Sequence, residues 1–267
     1  MTRHDWLTGR PVAHRGYHDR AKGRIENTIS AASAAVSRGF AIELDLHLTG
    51  DGHLIVFHDR ALDRLTEGHG QVDQLSLASL RTARLRGSGE VIPTLDEILE
   101  EVAGRVPIFL DLKSTWRGDC EIARQVALAL TPYAGPVAVM SFDPNVIAAF
   151  RRFSPHVPRG VVSGCSIDLP ALPAYARVAY RHLLTAGFSL PDFIAYEVGA
   201  LPATAPLMFR HATGVPLLAW TVRTTAELAK AHHWADQIIF EGFDPEEQEL
   251  ALEPPPLSPK ITVTAEP

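Results

Sequence analysis

The residues best placed to do chemistry begin in the stretch Phe40-Ala41-Ile42-Glu43-Leu44-Asp45-Leu46-His47-Leu48. Apolar and polar residues alternate strictly, so a strand here turns Glu43, Asp45 and His47 to one face. An ordinary half-buried strand would simply offer that face to water. Two other stretches argue for more. Ile108-Phe109-Leu110-Asp111-Leu112-Lys113 repeats the pattern, and the apolar run at 54–57 ends in His58 and Asp59. Glu43, Asp45 and Asp111 offer hard oxygen ligands, which suit one divalent cation, Mg²⁺ or Ca²⁺, better than a soft metal. His14 and His58 can change protonation near neutral pH and serve as acid and base in either order. Arg15 and Lys113 would add positive charge beside the cation, favouring a phosphate oxyanion. The plainer alternative is that these two cations only neutralise neighbouring carboxylates. Taken together, the set describes metal-assisted attack on a phosphodiester.

Such residues need a frame that brings them to one place, and the patterning along the chain supplies it. Strand-like and helix-like segments alternate from end to end. Strands are predicted at 11–13, 40–48, 106–113, 137–142, 160–163, 193–198, 216–222 and 237–240, with a hairpin return at 54–58 after Gly50-Asp51-Gly52. Helical spacing appears at 27–37, from Thr94 (with Glu97 completing a capping box) to near Gly104, at 121–130, 145–153, 171–186, 203–213, 226–233 and 245–252. Residues 60–89 break the alternation; they read as a small insertion with a short helix near 75–85. Eight βα units predict a TIM (β/α)8 barrel with a small insertion after the second strand and its hairpin. A doubly wound open sheet is the rival, but no glycine-rich dinucleotide fingerprint follows the first strand. On the barrel reading, residues 1–252 form a single domain, and 253–267, with Pro254-Pro255-Pro256, a disordered tail. Function in such barrels gathers at the carboxyl ends of the strands. His14, Arg15, Glu43, Asp45, His58, Asp111, Lys113, Trp220 and Glu241 all fall near that rim.

Composition narrows the function classes. The chain has 267 residues, 46% hydrophobic and 21% charged, which is ample for a large core. Its 31 acids against 25 bases give a net charge of -6 and no nucleic-acid-binding signature. Cys120 and Cys165 are too few for a disulfide scaffold or thiolate zinc site and read as buried thiols. No apolar run is long enough for a membrane span, and the first residues lack a signal-peptide core. The expectation is a cytoplasmic protein acting on a small molecule, with a homo-oligomer left open.

At the quoted residues the sequence resembles the glycerophosphodiester phosphodiesterase family. The resemblance rests on His14-Arg15-Gly16, Glu26-Asn27-Thr28, Glu43-Leu44-Asp45, Thr49-Gly50-Asp51-Gly52, Val56-Phe57-His58-Asp59 and Leu62-Asp63-Arg64-Leu65-Thr66. Ile92-Pro93-Thr94-Leu95, Asp111-Leu112-Lys113, Ser141-Phe142-Asp143 and Trp220-Thr221-Val222 follow in order, so that it spans about residues 11–245. It implies a barrel with an insertion after the second histidine and a divalent cation on Glu43, Asp45 and Asp111. It also implies His14 and His58 as the acid/base pair and Arg15 as a phosphate contact. Trp220 would wall the substrate pocket or simply plug the barrel, and Glu26 and Asn27 would act as helix caps or supports of the site. The implied reaction is hydrolysis of a glycerophosphodiester to an alcohol and glycerol 3-phosphate. A lysophospholipase D-like enzyme, a cyclic-phosphate-forming enzyme and a catalytically silent phosphate-binding barrel are the alternatives. Two departures stand out. Asp111 replaces the usual glutamate, and Ile239-Phe240-Glu241-Gly242-Phe243 stands where the family has a motif like Ile-Thr-Asp-x-Pro, leaving Glu241 either a support of the site or a barrel-end structural carboxylate.

Overall fold

Short apolar strands with a helix behind nearly every one close here into a ring. The computed structural model describes residues 4–116, 118, 120–165 and 173–252. In chain order the first half contains β1 (Val12–Ala13), α1 (Ile29–Arg38), β2 (Ala41–Leu48), β3 (Leu54–Val56), α2 (Leu77–Leu80), α3 (Leu95–Val102), β4 (Ile108–Leu112), α4 (Glu121–Ala129), β5 (Val137–Ser141) and α5 (Pro144–Phe153). The second half adds β6 (Arg159–Ser163), α6 (Ala174–Arg181), α7 (Ala186–Ser189), β7 (Phe193–Glu197), α8 (Thr204–Thr213), β8 (Leu217–Val222), α9 (Thr225–Trp234), β9 (Gln237–Phe240) and α10 (Pro245–Leu252). Eight of the strands are parallel neighbours, and β1 pairs with both β2 and β9, which closes the barrel. The ninth, β3, is an antiparallel hairpin partner of β2. This is the TIM barrel the patterning predicts.

The two faces of each strand serve two cores. Ala13, Ile42, Leu44, Leu46, Ile108, Leu110 and Leu112 pack outward beneath the helices. Val12, Ala41, Phe109, Met140, Val162, Phe193 and Ile239 fill the barrel itself, where Trp6 and Leu7 also pack. Gly160 makes room for this filling: a Cβ there would lie 2.3 Å from the Phe193 ring. Above the apolar filling, the inward positions of β2 and β4 become acidic. That change of layer makes the site.

Helix ends follow their local signals. Thr28 caps α1 and Gly39 ends it in a left-handed conformation. Thr94 and Glu97 form the expected capping box at α3, and Thr224 and Glu227 form another at α9. Three expectations change. The helix expected near 75–85 is only the single turn of α2, because residues 60–92 instead wrap a small core of their own. Leu62, Leu65, Val72, Leu80 and Leu85 bury there against Ile25, Ile55 and Phe57. The helix expected over 171–186 is divided into α6 and α7, its first two residues lying outside the described ones. Finally, neither cysteine is buried: Cys165 is exposed and Cys120 half-buried, in loops that follow strand ends. The expected tail at 253–267 also lies outside the described residues.

Candidate active site

β2 and β4 are parallel and in register, with Asp45 opposite Asp111. Inward positions on one level of a barrel converge, and one atom each from Glu43, Asp45 and Asp111 lies within 4.8 Å of the others. All three residues are almost wholly buried. The Lys113 amino group lies 2.6 Å from Asp45 Oδ1 and also bridges to Asp111. Burial, then Asp45 and Asp111, push the Glu43 carboxyl well above its ordinary range. Burial would raise Asp45 as well, but Lys113, His58, Arg15 and His14 hold it far below the usual carboxylate range. Crowding three carboxylates in a low-dielectric pocket thus forces unequal protonation unless more positive charge arrives. Asp111 Oδ1 is buried and accepts no hydrogen bond. An oxygen in that state, beside two further hard ligands, fits a divalent cation.

The first strand delivers His14 and Arg15 to the same cavity. The turn after β1 needs left-handed backbone at Arg15 (φ 57°) and Gly16 (φ 80°), where a Cβ on Gly16 would meet Ala31 at 2.8 Å. The Arg15 amide donates to Glu43 Oε2 at 3.0 Å, tying this turn to the acidic layer. Its guanidinium donates to Glu26 at 2.7 Å, and its buried Nε, 3.4 Å from Asp45, has no hydrogen-bond partner. Asn27 takes the support position: its amide donates to Asp45 Oδ2 at 2.8 Å, and its carbonyl accepts from the Asp45 backbone at 3.1 Å. The helix cap is Thr28 instead.

Each histidine has its own carboxylate. His14 Nδ1 lies 2.5 Å from Glu241 Oε2, while its Nε2 is 3.8 Å from Glu43. His58 Nδ1 lies 2.7 Å from Asp59. A carboxylate on Nδ1 fixes ring orientation and tautomer and leaves Nε2 for the substrate. Burial lowers the His14 pKa, and the Glu241 contact opposes that effect. Burial would raise Glu241, but His14, His18 and Arg223 outweigh it and hold the carboxyl far below its ordinary range. Glu241 is therefore an ionised partner of His14. Trp220 donates from Nε1 to the Ser163 carbonyl at 3.2 Å and meets Phe142 edge to face. Both rings line the cavity with His14, Arg15, His58 and the acidic layer.

The structure thus brings every sequence-predicted site residue to one rim or its immediate support. His47, on the same alternating face, departs to a neighbouring groove, where its Nε2 meets the His58 backbone carbonyl at 3.0 Å. Three contributors escaped the sequence reading. Asp59 orients His58; Arg64, from the insertion, binds both Asp59 (2.5 Å) and Glu26 (2.7 Å); Arg223 binds Glu241. Asp59 and Arg64 stood inside the quoted motifs, and Arg223 immediately follows Trp220-Thr221-Val222, so adjacency was the available signal.

The arrangement defines a class: a TIM barrel whose carboxyl-end rim joins two carboxylate-oriented histidines to a buried acidic triad and the cations Arg15, Lys113, Arg64 and Arg223. The model of the glycerophosphoryl diester phosphodiesterase family matches residues 14–247, and the chain belongs to that family. A glycerophosphodiester phosphodiesterase of Bacillus subtilis is 31% identical over 260 residues, 87% of this chain and 83% of its own length. That of Caldanaerobacter subterraneus is 31% identical over 179 residues, 63% of this chain and 72% of its own. Among solved structures, a phosphodiesterase of Oleispira antarctica in complex with the product sn-glycerol-3-phosphate superposes with a TM-score of 0.73. It is 21% identical and covers 90% of this chain and 95% of its own. A glycerophosphodiester phosphodiesterase of Parabacteroides distasonis gives 0.74 at 21% identity, with 91% and 95% covered. The chain is thus an enzyme of the phosphoric diester hydrolase class, a glycerophosphodiester phosphodiesterase. Among the described residues no helix is long and apolar enough to cross a membrane.

Proposed function

We propose that the chain hydrolyses a glycerophosphodiester to glycerol 3-phosphate and a free alcohol, using one divalent cation and the pair His14 and His58. The observation that carries this reading is that two imidazoles, each backed by its own carboxylate, line the same cavity as three converging buried acids. Glu43, Asp45 and Asp111 would hold Mg²⁺ or Ca²⁺, and when bound the ion supplies charge for the phosphoryl oxygens and the attacking oxygen. One histidine accepts a proton from the attacking water as the new P–O bond forms. The other donates its proton to the departing alkoxide as the old P–O bond breaks. Arg15 and Lys113 contribute fixed positive charge to the phosphate oxygens. Trp220 and Phe142 give the glycerol moiety an apolar wall. The relative solved with sn-glycerol-3-phosphate supports this choice of product.

The test is release of glycerol phosphate from a panel of glycerophosphodiesters, followed by phosphorus NMR with and without chelator. Chelation should abolish turnover and Mg²⁺ or Ca²⁺ should restore it. A persistent cyclic phosphate would replace hydrolysis with internal transesterification, and turnover unaffected by chelator would remove the cation from the scheme.

A further inference from the structure

The surface charge is unevenly spread. From residue 144 to 191 the sequence contains five arginines, of which Arg151, Arg152, Arg177 and Arg181 are exposed and Arg159 is buried beside Asp192, and a single acid, Asp168, although the whole chain has more acids than bases. Part of this stretch, α6 to α7, also exposes large apolar side chains. Tyr180, Leu183, Ala186 and Ser189 recur every third residue and are buried, which anchors the segment to the barrel. The Tyr180 hydroxyl donates to the Val162 carbonyl at 2.6 Å. Positions before and between them face outward: Tyr175 is 78% exposed, Leu184 70%, Val178 53% and Phe188 50%. Arg177, Arg181 and His182 are exposed among them. α7 packs against α5, whose end exposes Phe153 together with Arg151 and Arg152.

A flank whose described residues include no acid and mix arginines with Tyr, Phe and Leu has the composition of a helix lying at a membrane interface. We propose that this flank docks the protein on an anionic lipid surface, with the apolar residues entering the headgroup boundary and the arginines meeting lipid phosphates. Charge selects this occupant. A second copy joined symmetrically would set the same arginine-rich patch against itself, which like charges oppose. The inference does not depend on the chemistry of the active site.

The test is co-sedimentation of the full chain with vesicles of phosphatidylcholine alone and with about one third phosphatidylglycerol, at low and high salt. Binding to the anionic vesicles should be at least about tenfold tighter and should weaken with salt. Leu184→Ser with Phe188→Ser, and separately Arg177→Glu with Arg181→Glu, should each reduce it by about tenfold or more while hydrolysis of a soluble substrate is unchanged. Equal binding to both vesicle types, no binding, or binding untouched by both double variants would overturn the proposal. So would a concentration-dependent dimer that these variants dissociate, which would give the face to a second copy.

Discussion

The two imidazoles of the site are held in opposite ways. His14 and Glu241 are 227 residues apart, meet only because β1 pairs with β9, and keep the His14 side chain only 13% exposed. His58 and Asp59 are adjacent in sequence, the His58 side chain is 34% exposed, and the pair is steadied from the insertion by Arg64. One imidazole is fixed by barrel closure, the other by a surface module. A buried hydrogen bond is stronger and costlier to break than a half-exposed one, so the two sides should not respond equally to similar injuries.

The largest effect is expected where the comparison should vanish. His14→Ala and His58→Ala each remove a proton carrier and should lower kcat by about 10³-fold or more with the far-ultraviolet circular dichroism unchanged. Near-normal turnover in either variant would strip that residue of its role. Removing the supports should then separate the sides. Glu241→Gln should cost about 10²-fold in kcat, whereas Asp59→Asn, with Arg64 still in place, should cost about tenfold. Glu241→Gln has a second signature. Because the Glu241 contact raises the His14 pKa against burial, losing it should move the limb governed by His14 to lower pH. Equal losses in the two variants, with no movement of that limb, would break the comparison. Arg64→Ala is milder still, about three- to tenfold in kcat, since it acts on His58 only through Asp59.

The smallest effect concerns stability on the His58 side. Burial pushes the His47 pKa down to about 4, against its hydrogen bond to the His58 carbonyl. Above the unfolded value of about 6.5 the ring is neutral in both states and costs nothing. As pH falls from there toward 4 the unfolded chain takes up the proton first, so stability declines across that window, by roughly 3 kcal/mol from this residue. Urea unfolding of the wild type at pH 7 and pH 4.5 should show the decline, and His47→Gln should flatten it. An unchanged slope in the variant would remove His47 as the cause.

How far the sequence carried the fold depended on the range of the forces involved. Period-two and helical patterns are local, and so the eight strands and most helices could be read directly. Asp45 and Asp111 converge because both are inward residues of neighbouring strands, which follows once the barrel order is known. His47 misled for the same reason: alternation assigns a face, but at the strand end the side chain found the His58 carbonyl rather than the acidic layer. Glu241 was ambiguous because its partner lies at the other end of the chain. The insertion hid its packing because Leu62, Leu65, Val72 and Leu80 close on Phe57 without a regular period.

Barrel closure also has a consequence in time. His14 is synthesised well before β9, which supports β1 through the His14 amide to the Phe240 carbonyl at 2.9 Å, and before Glu241 just behind it. A growing chain therefore carries the acidic triad and both histidines long before it can pair His14 with Glu241. If the proposed roles hold, competence is withheld until β9 seats, and the appearance of turnover marks completion of the ring.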